Sequence, residues 1–149
     1  MALPTHLDLQ IVTPDRLVVQ ARVDEVQVPG SEGYFGVLPG HTPMLASLAV
    51  GELWYRQGQE KTYLAIASGF AEVLPDRVTI LAKLAERADE IDAERAEAAR
   101  QRAEGRLANK SDVDYERARA ALAKALTRLQ VASRLGVSPR AGALKRVRT

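Results

Sequence analysis

Val78-Thr79-Ile80-Leu81-Ala82-Lys83-Leu84 is a short apolar run of strand character, and Asp92-Ala93-Glu94-Arg95-Ala96-Glu97-Ala98-Ala99 a few residues later is an alanine-rich run of helical character. The change of character falls at about Leu84 and divides the 149-residue chain into two parts. Upstream, the pattern is that of strands. Leu7-Asp8-Leu9-Gln10-Ile11 and Val26-Gln27-Val28 alternate apolar and polar, and short apolar runs recur at Leu53–Tyr55 and Tyr63–Ala67. Turn formers separate them: Thr13-Pro14-Asp15, Pro29-Gly30-Ser31, Leu38-Pro39-Gly40, Gln57-Gly58-Gln59 and Leu74-Pro75-Asp76-Arg77. About eight short strands at this spacing predict an antiparallel sandwich or flattened barrel with one face open to a partner.

Downstream, no proline occurs between Asp76 and Pro139. Asp92 is placed to cap a helix, with Glu94 in the first turn where the helix dipole favours an acid. That helix runs to about Leu107, with Ala96, Ala99, Ala103 and Leu107 on one face. Asn109-Lys110-Ser111-Asp112 breaks it, and Asp112 or Asp114 can cap a second helix. Tyr115, Ala118, Leu122, Ala125, Leu129 and Ala132 then follow at 3-4-3-4-3 spacing, a narrow coiled-coil seam. Two helices joined by a short polar break form an antiparallel hairpin. An alanine methyl hides little surface, and apolar burial is worth about 25 cal/mol per Å², so a half-alanine seam packs closely but holds weakly. Two readings stay open: a permanently docked hairpin, and one that undocks with its helices intact.

Charge is uneven. Residues 1–84 carry nine acids and six bases, a net of −3, whereas residues 85–149 carry ten acids and fifteen bases, a net of +5. Arg134, Arg140, Lys145, Arg146 and Arg148 end the chain with no acid among them, which points to an acidic partner there. The absence of cysteine excludes disulfides and cysteine-based metal sites or nucleophiles. No apolar run reaches the ~18 residues of a membrane span, and Met1 to His6 lacks the pattern of a secretory signal. The expectation is a cytoplasmic protein that meets a membrane only through partners.

Three blocks of the strand half closely resemble the epsilon family of F-type ATP synthases: Val12-Thr13-Pro14-Asp15-Arg16, the seventeen residues from Pro29 to Leu45, and Ser68-Gly69-Phe70-Ala71-Glu72-Val73 continuing into Val78–Ala82. The helical half resembles it at Ile91-Asp92-Ala93-Glu94-Arg95-Ala96 and at Asp112-Val113-Asp114-Tyr115. The resemblance implies a sandwich of about ten strands over residues 1–84 and a two-helix regulatory domain with a basic tail over 85–149. It also implies a non-catalytic rotor subunit of a proton-translocating synthase, which couples rotation to ATP synthesis and inhibits ATP hydrolysis through its C-terminal helices. The implied partners are the gamma subunit, the ring of membrane c subunits and, in the inhibited state, the beta and alpha subunits. The implied location is peripheral, on the cytoplasmic face of a bacterial inner membrane.

By matching positions, Ser31, Glu32, Gly33, Tyr34 and His41 face the c ring, and Arg134 and Arg140 contact beta. Tyr34 stands where relatives often carry an acidic or other polar residue. Ile91, Asp92, Arg95 and Ala96, with Glu86, Arg102, Lys124 and Arg128, resemble an ATP site in some bacterial relatives. Arginine forks suit phosphate oxygens, and a carboxylate can accept from an adenine amine or a ribose hydroxyl. Lys124 replaces an arginine and weakens that site. The simpler reading makes Asp92 an N-cap and the arginines a solvated face, and both stay open, with ATP at most a regulatory ligand.

The rivals are weaker. A free-standing ATP-sensing protein is the alternative from another class. Asn109-Lys110-Ser111 ends like a phosphate loop, but Glu104 and Asn109 occupy its glycine positions. His6 and His41 are the only histidines and lie far apart in sequence, which argues against a metal site. The basic tail lacks the interleaved aromatics of a nucleic-acid platform.

Overall fold

The structure is a computed structural model that describes residues 3–109 and 114–136. The chain divides into two compact units, Met1–Glu86 and Arg87–Thr149.

The first unit contains the strands β1 (Leu7–Val12), β2 (Leu17–Val23), β3 (Glu25–Gly30), β4 (Gly33–Val37), β5 (Met44–Leu48), β6 (Gly51–Gln57), β7 (Glu60–Leu74) and β8 (Arg77–Arg87), the last reaching one residue into the second unit. The hydrogen-bonded order is β2-β1-β8-β7-β5-β3-β4, with β6 pairing both β3 and β7. This path folds into the two layers of a sandwich. The turns fall on the expected glycines and prolines: Gly58 at φ 63° joins β6 to β7, and Pro75-Asp76 joins β7 to β8. Alternation then decides what is buried. Leu7, Leu9 and Ile11 of β1 are fully buried, as are Val26 and Val28 of β3, Leu53, Leu64, Ile66, Val73, Val78 and Ile80. Burying each such side chain contributes about 1.5–3 kcal/mol. On one outer face Trp54 pairs with Tyr63, and the Lys61 ammonium lies 4.1 Å from the centre of the Trp54 ring.

Two features differ from the expectation. Eight strands are present among the described residues, against about ten, and β7 serves both layers without interruption. It pairs with β6 over Gly51↔Ile66 to Gln57↔Glu60, and with β5 over Leu48↔Gly69 to Met44↔Val73. The change of partner falls at Ser68 (φ 59°) and Gly69 (φ 141°). Furthermore, β1 lies parallel to β8, from Asp8↔Arg77 to Val12↔Leu81, so the layer is not wholly antiparallel.

The second unit begins with a 3₁₀ turn, Ala88–Glu90, followed by α1 (Ala93–Ala108) and α2 (Tyr115–Ser133). Asp92 caps α1, its Oδ1 accepting from the Arg95 N–H at 3.1 Å. Asp114 holds the N-cap position of α2 through its carbonyl, which accepts from the Ala118 N–H, while its side chain makes no capping bond. The helices form an antiparallel pair. Ala96 and Ala103 are buried on α1, and Ala118, Ala125 and Ala132 on α2, each set at seven-residue intervals. Leu107, Leu122 and Leu129 are half-buried beside this seam, and Tyr115 is 54% exposed. The seam is therefore more purely alanine than its spacing suggests, because methyl groups let the helix axes approach and leave the larger side chains at the rim.

Two glycines test these accounts. A Cβ at Gly69 would lie 1.9 Å from the Leu81 carbonyl oxygen, at a φ few side chains adopt. Gly69→Ala is expected to lower the unfolding free energy by about 2–4 kcal/mol in denaturant titration. Gly105 sits in α1 with open space around its would-be Cβ. Gly105→Ala should instead raise helix stability by about 0.5–1 kcal/mol.

Candidate functional site

The expected ring-facing residues fall in two places. β3 ends at Gly30, Ser31 and Glu32 form the turn, and β4 starts at Gly33, whose φ is 124°. Ser31, Glu32, Gly33 and Tyr34 are all exposed at this hairpin tip. The Ser31 N–H donates to the Ser47 carbonyl at 2.8 Å, and the Tyr34 hydroxyl accepts from the Glu52 N–H at 3.2 Å. His41 lies beyond the other end of β4, so a five-residue strand, roughly 16 Å at ~3.3 Å per residue, separates it from the tip. Its loop is tied down where the Gly40 N–H donates to the Pro75 carbonyl at 2.7 Å. The His41 Nδ1 lies 2.7 Å from the Thr42 carbonyl, so Nδ1 carries a proton and Nε2 is the ring's other polar atom.

A second surface lies on the face expected to stay open to a partner, though the sequence did not single out its residues. Leu17 (50% exposed), Leu81 (53%), Phe70 (54%) and Leu45 (71%) are large apolar side chains left open to solvent. They are brought together by register: Leu17 pairs with Val12, Val12 with Leu81, and Phe70 with Ser47, two residues from Leu45. The band thus crosses β2, β1, β8, β7 and β5, the first four adjacent in that order. A hollow of about 360 Å³ opens on it, lined by Val12, Thr13, Pro14, Gly69, Leu81, Ala82 and Lys83. The signal was present in Ile80-Leu81-Ala82, which is apolar at both strand parities, but only the pairing shows that the outward residues form one band.

In the helical unit, Ile91 and Ala96 are buried. Asp92 is exposed and occupied as the N-cap, and Arg95 and Arg102 are exposed on α1. Lys124 and Arg128 are half-buried one turn apart on α2, while Glu86 belongs to the first unit. Helix geometry groups the bases. Arg95 and Arg102 each precede a buried alanine of α1 by one position, Arg117 and Lys124 precede buried alanines of α2, and Arg106 and Arg128 follow buried alanines by three. In an antiparallel pair of right-handed helices these positions all fall on the same flank. The opposite flank carries Leu122, Leu126 and Leu129, together with an ion-pair clamp. There, Arg100 donates from Nε and Nη2 to the Glu97 carboxylate and from Nη1 to Glu104 Oε1 at 2.6 Å. Hydrogen bonds to Glu97 and then to Glu104 hold the Arg100 guanidinium still more firmly charged than usual. Arg134 is the C-cap residue of α2 and exposed. Arg140 and the bases after it lie outside the described residues. Among the described residues no group of acids and histidines is placed to hold a metal ion, and no helix is long and apolar enough to cross a membrane.

A β-sandwich with a hairpin tip and an apolar outer band is joined in one chain to an alanine-seamed helical hairpin. The beta-sandwich domain of the ATP synthase delta/epsilon chain matches residues 6–88, and the long alpha-helix domain of the same chain matches residues 89–133. The ATP synthase epsilon chain of Syntrophobacter fumaroxidans is 56% identical over 86% of this chain and 96% of its own length. That of Nitratidesulfovibrio vulgaris is 52% identical over 84% and 94%. A chain in the cryo-EM structure of Euglena gracilis mitochondrial ATP synthase, OSCP/F1/c-ring in rotational state 1, superposes with a TM-score of 0.78 at 27% identity, covering 89% of this chain and 84% of that one. The chain therefore belongs to the ATP synthase delta/epsilon chain family. It is a non-catalytic central-stalk subunit of epsilon type in an ATP synthase, a membrane-associated complex.

The two roles offered for Asp92 separate by substitution. Asp92→Ala removes the cap and should cost about 1 kcal/mol, seen as lower helix content and an earlier thermal transition. Asp92→Asn keeps a capping oxygen and should preserve both, so any loss of ATP affinity in that variant reports on the carboxylate alone.

Proposed function

We propose that the sandwich is the docking module of the rotor and the hairpin a brake on ATP hydrolysis. The gamma subunit docks on the apolar band of Leu17, Leu45, Phe70 and Leu81, because a contiguous outward apolar surface of this kind is a protein interface. The hairpin tip at Ser31–Tyr34 meets the polar loops of the c ring on the cytoplasmic side of a bacterial membrane. His41, at the far end of β4, makes a separate contact.

The observation that carries the brake is the seam. Along the seam of Ala96, Ala103, Ala118, Ala125 and Ala132 the buried side chains are methyl groups, and Val131 is the one larger fully buried side chain of the two helices among the described residues, so the seam itself holds little apolar area. The Arg100 clamp is internal to α1 and persists when the hairpin opens. The basic flank of Arg95, Arg102, Arg106, Arg117, Lys124 and Arg128, together with the exposed Arg134 and with Arg140 further along the sequence, then meets an acidic surface on the beta subunits, with alpha beside it. Removing Ala88–Thr149 leaves β8 whole. ATP hydrolysis by the reassembled complex is expected to rise several-fold, with rotor assembly retained. Unchanged hydrolysis at every nucleotide level and membrane potential defeats the brake.

The same flank favours a second reading, with ATP as a regulatory ligand. Bases from both helices share one flank of the hairpin, and the Asp92 cap stands at the start of α1, so phosphate and ribose chemistry have donors and an acceptor within one hairpin. Arg128→Ala with Lys124→Ala should weaken ATP binding to the full-length chain about tenfold or more in calorimetric titration. Equal affinity for the unaltered and doubly substituted chains sinks this reading and leaves the brake standing.

A further inference from the structure

Tyr34 is the second residue of β4 and lies directly across from Pro29 on β3. Its side chain turns back over the sheet. The hydroxyl accepts from the Glu52 N–H on β6, one strand beyond β3. A Cβ at Gly51 would come within 2.7 Å of that hydroxyl oxygen and 2.8 Å of the Pro29 Cβ, so the phenol rests on bare backbone that only glycine leaves open. The bond also answers a local need. Glu52 is 7% exposed, Pro29 has no N–H to offer β6, and the Pro29 carbonyl is engaged by the Ala49 N–H at 2.9 Å.

The hairpin tip consequently has an anchor on each side. The Ser31 backbone is bonded to Ser47, and Tyr34 is bonded to Glu52. Between them stand only Glu32 and Gly33, both exposed. We propose that Tyr34 is a positioning residue, which holds the tip in a fixed projection from behind and leaves Glu32 and the tip backbone to meet the partner. This rests on the reading that the tip faces the c ring. A tip held in its bound shape loses less conformational freedom on docking, so its stiffness is read out as affinity.

The test uses the full-length chain, alone and with purified c ring and gamma subunit. Tyr34→Phe removes the bonded oxygen and little else, and Gly51→Ala displaces the ring without altering Tyr34. In both variants the Glu52, Gly33 and Tyr34 amides are expected to exchange about tenfold faster, the factor that goes with losing one hydrogen bond. At a temperature where circular dichroism shows the variants fully folded, association with the rotor should weaken about five- to tenfold. Unchanged exchange overturns the latch. Faster exchange with unchanged association overturns positioning and leaves Tyr34 a purely structural residue. A third variant, Ser31→Gly with Glu32→Gly, addresses the underlying reading. If it binds the rotor as tightly as the unaltered chain, docking through the tip is wrong and the proposal falls with it, whereas the exchange data on the isolated chain still report whether the latch exists.

Discussion

The close approach of β7 and β8 at Gly69 is the constraint on which the sandwich depends. The backbone of Leu81 and Ala82 passes so near Gly69 that no side chain fits between them. There β7 leaves β6, takes up β5, and carries the ladder from one layer to the other. A break in the chain at that point would leave backbone donors and acceptors without partners in the interior. Bending one continuous strand avoids this at the cost of two unusual φ values. The bend also sets Phe70 and Leu81 on the outward face next to the parallel pair of β1 and β8, so the apolar band follows from the geometry that closes the core.

The helical unit is built on the opposite principle. Its seam positions are alanines, and six bases lie on one flank while Leu122, Leu126, Leu129 and the Arg100 clamp lie on the other. Helix stability then comes from alanine propensity, the Asp92 cap and the Arg100 clamp, all internal to single helices. A leucine- and valine-rich core in the sandwich and a thin alanine seam in the hairpin give the two units different amounts of buried apolar surface.

Much of this was readable in the residues, for physical reasons. Alternation in β1 and β3 follows from the two-residue period of a strand, and the turns at Gly58 and Pro75-Asp76 follow from backbone preferences local to those residues. Asp92 as a cap needed only its own helix. What escaped was long-range. Tyr34 reads in sequence as an outward residue of a loop, and only the position of β6 shows that its hydroxyl has a buried amide to meet. Leu17, Leu45, Phe70 and Leu81 are scattered over sixty-odd positions and become one surface only through register. The tip and His41, near neighbours in the chain, are set apart because β4 is extended.

By itself, then, the sequence determined the two periodicities, the turn positions, the alanine seam and the charge of each half, all of which depend on residues within a few positions of one another. The tertiary structure decided the parallel pairing of β1 with β8, the use of β7 in both layers, the apolar band and the inward turn of Tyr34. Each of these joins residues distant in the chain, and which of them meet is settled by closing the whole core at once.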